Sequence, residues 1–240
     1  PSTLVGALAR GVAAYLRAGG RPVPEYQLIN GRYTAAVAPE LGRCVEAVFF
    51  KYVEGVARAH IDKSRVFQGP YVREENLEKD PSQSFGVRDL GKVYAPAVRG
   101  EVAYLIDVDC VKDGLGIGID GLVASAHAIT RVGPVEGLVT VGGGVDVYDW
   151  DKCEEASVEK VEYLRCPYFP YGGKLLEPWV SVEFFDWRDE RTWTNERLSA
   201  RRVAYAVPSG AWVEAQPEFP RCATLKGFRF KLCGGRCYPY

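Results

Sequence analysis

One apolar stripe constrains this chain more than any other feature. Leu4, Leu8, Val12 and Leu16 recur at helical spacing behind Ser2-Thr3, and the pair Gly19-Gly20 closes the run. The pattern predicts a helix, capped at its start by Ser2 or Thr3, with one face that has to be buried against other elements. Those elements read as β. Residues 45–52 and 102–108 carry the β-branched and aromatic content of strands, residues 117–130 read as a small-residue helix, and residues 138–148 read as a strand interrupted by Gly142-Gly143-Gly144. Residues 21–42 are rich in Pro, Gly and polar groups and are expected to be mostly loop. Residues 55–100 show no sustained period, mix charge with Gly69-Pro70, Pro81-Ser82 and Pro96, and are too long for an ordinary connection, so they are expected to be an insertion.

Beyond Asp149 the helical period disappears. Short apolar runs at 180–185, 202–207, 211–215 and 224–232, separated by Pro and Gly, predict a β-rich lobe. The expected fold class is α+β, with residues 1–149 forming a helix-strand-strand-helix-strand unit and residues 150–240 forming the β-rich lobe. The first part is the ferredoxin-like βαββαβ pattern without its opening strand.

The apolar runs at 45–50 and 203–207 fall far short of the roughly 20 residues of a membrane span, so a protein of the cytoplasm with no membrane contact is expected. Lys and Arg together number 30 against 31 Asp and Glu, so only the local charge distribution bears on a polyanionic partner. From 219 to 240 there are five basic side chains and no acidic one, and from 55 to 73 four against one. Seven cysteines are an odd set, leaving at least one unpaired within a monomer. Their spacing, with Cys233 and Cys237 as the one tight pair, lacks the two pairs of a zinc site, so no metal and no cofactor is expected. The absence of Met and scarcity of Asn fit a thermophile's chain.

Two stretches carry a family resemblance. Pro1-Ser2-Thr3-Leu4-Val5-Gly6-Ala7-Leu8-Ala9 resembles the run that begins the first helix in the CRISPR-associated RAMP proteins, notably the Cas-five family of Cascade subunits. Arg131-Val132-Gly133-Pro134-Val135-Glu136-Gly137-Leu138-Val139 resembles that family's RxGxxESLV segment, with Gly137 where the family usually has Ser. The resemblance implies an RNA-binding, non-catalytic subunit of a type I interference complex, most like the archaeal I-A branch, that holds the 5′ handle of the guide RNA (crRNA). It implies as partners the Cascade backbone subunits and large subunit, and target DNA through the complex. It also implies that residues 55–100 are a thumb-like hairpin docking on the neighbouring backbone subunit. Family members carry a strand before the first motif, and that strand is the one missing here.

The RNA contacts expected on this basis are Ser2, Thr3, Arg131 and Gly133 in the two motifs and Lys63, Arg65, Arg73 and Arg88 in the insertion. The insertion also offers Phe67, Tyr71, Phe85, Lys92 and Tyr94, and single-stranded RNA is gripped by cations on phosphates and by aromatic or guanidinium planes on unstacked bases. Two other functions stand beside this one. A metal-independent endoribonuclease needs a general base; only His60 and His127 exist, with His127 expected in the core and His60 the candidate. A structural assembly protein with a basic tail is the third reading. The aromatic group Trp179, Phe184, Phe185, Trp187 and Trp193 is expected in a core or at a subunit interface.

Overall fold

A computed structural model describes the chain except residues 25, 30–31, 36, 55–57, 68–84, 95–98, 134–136, 195 and 210–219; for 26–29, 32–35, 52, 58–67 and 85–94 it describes the backbone alone. The chain divides into two compact units, one of Pro1–Lys51, Glu101–Ser209 and Phe219–Tyr240, the other of Tyr52–Gly100 with Gly210–Glu218. Residues 150–209 thus cluster with the first 51 residues.

In the larger unit, helix α1 (Ser2–Ala18) buries Val5, Leu8, Val12 and Leu16. Its N-cap is Pro1, with no side-chain hydrogen bond, so neither Ser2 nor Thr3 caps it as expected. The helix starts one residue too early for that role: Ser2 is already inside it and buried. The stretch expected as loop holds a hairpin, β1 (Tyr26–Ile29) with β2 (Arg32–Ala35), and a short helix α2 (Ala38–Cys44) whose Pro sits in the first turn. These elements are short, and the hairpin has only four paired positions, too few for a period to show.

Strand β3 (Val45–Glu54) pairs with β6 (Arg99–Ile106). Between β6 and the second predicted helix lies α3 (Val108–Leu115), which sequence periodicity does not reveal; Asp107 caps it by accepting from the N–H of Cys110, and Gly116 ends it in the left-handed region at φ 67°. Helix α4 (Ile119–His127) follows. Residues 138–148 do not form the expected strand. They lie almost wholly exposed, and the three glycines leave no side chain to bury on either face. A mixed helix and strand architecture with small antiparallel sheets results, the α+β class; among the described residues, β3 and β6 form a two-stranded sheet of their own.

Strands β7 (Glu154–Ala156), β11 (Phe230–Cys233) and β12 (Arg236–Pro239) form one antiparallel sheet, and β8 (Phe169–Pro170), β9 (Trp179–Phe185) and β10 (Arg202–Pro208) another. The two continuous apolar runs of the sequence are strands covered on both sides. On β3, Val48 enters the cluster around α1 while Ala47 and Phe49 enter a second cluster; on β10, Tyr205 and Val207 join the first and Ala206 the second. A strand buried on both faces needs no alternation of polar residues. No helix among the described residues is long and apolar enough to cross a membrane.

Two disulfides tie distant parts of the larger unit. Cys44 pairs with Cys110, tying α2 to α3, and Cys153 with Cys233. Cys166, Cys222 and Cys237 converge, with Cys222 in contact with both others. In the smaller unit β4 (Arg58–Phe67) and β5 (Phe85–Tyr94) pair antiparallel over ten positions, from Arg58 opposite Tyr94 to Phe67 opposite Phe85.

Helices α1 and α4 touch most closely at Gly11, where an added methyl would overlap the carbonyl of Ser125. Substituting Gly11→Ala is expected to force the helices apart and cost about 1–3 kcal/mol, as overpacking of a tight core does, read as a lowered thermal midpoint. Gly114→Ala, with open space around it, is the control expected to change stability by no more than about 1 kcal/mol.

Candidate nucleic-acid interface

A cleft of ≈ 460 Å³ opens beside the start of α1. One wall is α1 itself, which presents Ser2, Thr3, Gly6, Arg10 and Arg17; Arg131 and Gly133 form a second, and Thr192, Trp193 and Arg197 a third. The charge is one-sided: among the described residues, four arginines line the cleft and no acidic residue does. The helix adds to the same sign. Its ladder begins with the N–H groups of Leu4 and Val5 donating to the carbonyl of Pro1, so the positive end of the helix dipole and the first amides lie at the cleft. The first turn carries no acidic residue to offset it.

Local backbone geometry sets the second wall. The N–H of Val132 donates to the carbonyl of Gly137 at 2.9 Å, and that of Val139 to Thr130 at 2.9 Å, which draws residues 130–132 against 137–139 with a bridge between Arg131 and Leu138. Gly133 has φ 82°, a conformation that an L side chain rarely adopts. A Cβ placed there would lie 3.8 Å from the Cγ2 of Thr3. The two separated motifs therefore meet at one point.

The third wall is held by a device that none of the motifs announced. In Asp186-Trp187-Arg188-Asp189-Glu190-Arg191 each aspartate accepts from the arginine two residues on. Arg188 donates to both oxygens of Asp186 at 2.9 and 3.3 Å, and Arg191 to both of Asp189 at 3.0 and 2.7 Å. The N–H of Arg201 also donates to Asp189 at 2.7 Å. Such forked, charge-assisted pairs fix both partners in plane. The Arg191 fork, aided by the amides of Arg201 and Arg191 and opposed by burial, holds the Asp189 carboxyl well below the ordinary carboxylate range. Trp193 is then tied inward, its indole N–H donating to the carbonyl of Trp187 at 2.8 Å, and the Trp187 N–H donates to Val45 at 2.8 Å. The Asp-x-Arg spacing was the readable signal for this segment. Arg197, whose guanidinium stacks 4.4 Å from the Phe185 ring centre, had none.

The expected site residues fare unequally. Ser2, Thr3, Arg131 and Gly133 come together in the cleft. Arg73 lies outside the described residues, as do the side chains of His60, Lys63, Arg65 and Arg88, whose backbones run along β4 and β5. His127 ends α4 exposed rather than buried in the core. Of the aromatic group, Trp179 and Trp187 are buried and Phe184 and Trp193 pack beside the first cluster. The basic C-terminal stretch is largely engaged: Arg236 pairs with Glu101 at 3.2 Å and Asp146 at 3.0 Å, Lys231 donates to the carbonyl of Trp150, and Arg229 stacks over Tyr240.

No protein-family model matches the chain, and no curated protein matches it either. Among solved structures, it is similar to a crystal structure of a CRISPR protein from Archaeoglobus fulgidus, at 14% identity and a TM-score of 0.44, over 100% of this chain and 85% of that one.

Substituting Asp189→Asn should loosen the third wall and cost about 1–3 kcal/mol at neutral pH, the range for stranding partners of a charged hydrogen bond. Because the folded carboxyl titrates lower than the unfolded one, its contribution is present above about pH 4 and is lost as pH falls toward the folded value. Denaturant melts of both proteins from pH 7 to pH 2 should show their stabilities converging at the acid end.

Proposed function

We propose that this chain is a non-catalytic guide-RNA-binding subunit of a type I CRISPR interference complex, ferredoxin-like in its first part, and that the arginine-lined cleft holds the 5′ handle. One observation carries the reading. The two stretches that resemble the Cas-five family are far apart in sequence, yet Gly133 sits against Thr3 and both stretches line one cleft whose described charged residues are all arginines. A cleft of arginines, helix-start amides and a positive-φ glycine suits phosphate groups, since the guanidinium forks match phosphate oxygens and the glycine allows the RNA backbone to come close. In this reading the smaller unit, with its β4–β5 hairpin, is the thumb that meets a neighbouring backbone subunit, and the protein works in the cytoplasm.

The endoribonuclease reading is weaker on the chemistry of this site. Metal-free cleavage needs an acid and a base within hydrogen-bond reach of the 2′-oxygen and the leaving oxygen. Among the described residues the cleft is lined by Arg, Ser, Thr, Gly, Ala, Val, Pro and Trp, and an arginine stays protonated at any physiological pH.

Reversing charge with Arg131→Glu and Arg197→Glu is expected to weaken binding of single-stranded repeat-derived RNA strongly. The slope of log affinity against log salt should shrink by about 0.7 for each phosphate that is no longer neutralised. Filter-binding titrations across salt concentrations measure both, and unchanged affinity would remove the site. In the same assay His60→Ala should change affinity little, and the parent chain should leave repeat RNA intact in chelator; specific cleavage that disappears in His60→Ala would replace the binding reading with the enzyme.

A further inference from the structure

Two of the cysteine pairs account for four sulfurs and leave three. Cys166, Cys222 and Cys237 come from separate places, the loop before β8, the turn after Pro220, and β12, and their sulfurs all lie within 4.8 Å of one another. All three are buried, at 0%, 0% and 3% exposure. The backbone holds two of them in place: the N–H of Cys166 donates to Pro220 at 3.0 Å and that of Cys222 to Leu164 at 2.8 Å. Cys237 is placed by β12, opposite Leu232 of β11.

Disulfide chemistry can use only two of the three, and as the chain stands Cys166 is bonded to Cys222. A sulfur forms one S–S bond, and Cys222 contacts both of the others. The Cα atoms of Cys222 and Cys237 are 7.6 Å apart, beyond the ~4.4–6.8 Å that a disulfide spans. A bond between Cys166 and Cys222, with Cα atoms 5.0 Å apart, leaves Cys237 as a third sulfur packed against it. A single cation uses all three. With metal–sulfur bonds of ~2.3 Å at tetrahedral to trigonal angles, two sulfurs on one ion lie ~3.8–4.0 Å apart; the Cys166 and Cys237 sulfurs are separated by 3.9 Å, and on reduction Cys222 has only to draw back from the two it touches.

We propose that the reduced chain binds one thiophilic d10 cation, Zn²⁺ or Cu⁺, through the thiolates of Cys166, Cys222 and Cys237. Binding replaces three S–H bonds by three metal–sulfur bonds and releases three protons to solvent, with no electron transferred. Soft thiolates select this class of ion. Three sulfurs complete a trigonal site for Cu⁺, whereas Zn²⁺ takes a small exogenous fourth ligand. Phe169, Leu225 and Phe230 of the surrounding cluster are buried and apolar, so the site is dry and an ion would leave it slowly. The ion would lock β12 onto the 166 and 222 segments, a staple for the β-rich part that does not depend on the RNA reading.

The test uses the full chain, isolated anaerobically with thiols alkylated in one portion at lysis and a phosphine reductant in the rest. Zn²⁺ is titrated against a chromophoric chelator and Cu⁺ against a cuprous chelator. One equivalent of one of these ions should bind and raise the melting temperature of the parent protein, and which ion does so distinguishes the two. Cys237→Ser should weaken binding by about 100-fold or more, beyond what losing an outer-sphere partner costs. Cys44→Ser with Cys110→Ser should leave it unchanged. Should the Cys237 variant fail to fold, cadmium bound to the parent chain reports the thiolate number by its ultraviolet charge-transfer intensity, with three expected. A parent chain with three free thiols in this set that retains neither ion would overturn the proposal, as would a Cys166–Cys222 disulfide already closed at lysis.

Discussion

The double burial of β3 is the constraint on which the larger unit depends. Its residues enter two apolar clusters at once, and the elements that cover it on each side come from both halves of the chain. The same strand supports the cleft. The carbonyl of Val45 accepts from Trp187, the carbonyl of Trp187 accepts from Trp193, and Trp193 lines the cleft wall. A buried indole N–H without an acceptor is costly, so these two bonds fix the wall's distance from the sheet. Tyr205 adds a cross-tie from β10, its hydroxyl accepting from the N–H of Val48 at 3.3 Å.

The division of labour between apolar and charged residues follows from this frame. Aromatic residues form the packing between β9, β10 and the helices: Trp187 and Tyr205 meet edge to face at 6.1 Å, and Phe184 and Tyr205 at 5.8 Å. Arginines then divide into two groups. Arg188, Arg191 and Arg236 bind carboxylates and organise the fold, while Arg131 and Arg197 line the cleft. Counting basic residues along the chain cannot separate these groups, because the distinction rests on which carboxylate lies within reach in space. That is why the C-terminal basic run proved to be structural and the cleft took arginines from three separate segments.

Much of the cleft was nonetheless readable. Ser2, Thr3, Arg131 and Gly133 stand out in the two motifs, and they share the cleft. Arg10, Arg17 and Arg197 do not, since a solvent-facing arginine on a helix or turn looks the same whether or not it borders a concavity. His127 was misplaced for a related reason: a histidine among small residues reads as core, but α4 ends at that residue and leaves it exposed.

By itself the sequence determined the elements whose period is long enough to register: the α1 stripe, the two continuous apolar strands, the α4 helix and the absence of a membrane-spanning run. Local chemistry sufficed there, because each signal repeats over several turns or pairs. Only the tertiary structure decided the rest. It turned residues 138–148 into a largely exposed loop, whose three glycines bring no side chain to bury, and it found short elements such as α2 and α3 whose stability comes from the Cys44–Cys110 bond and the first cluster rather than from propensity. It also gathered three cysteines that the sequence spreads from 166 to 237 into one buried set. Spacing along a chain carries no information about such a meeting, which is made by the strands and turns that bring distant backbone together.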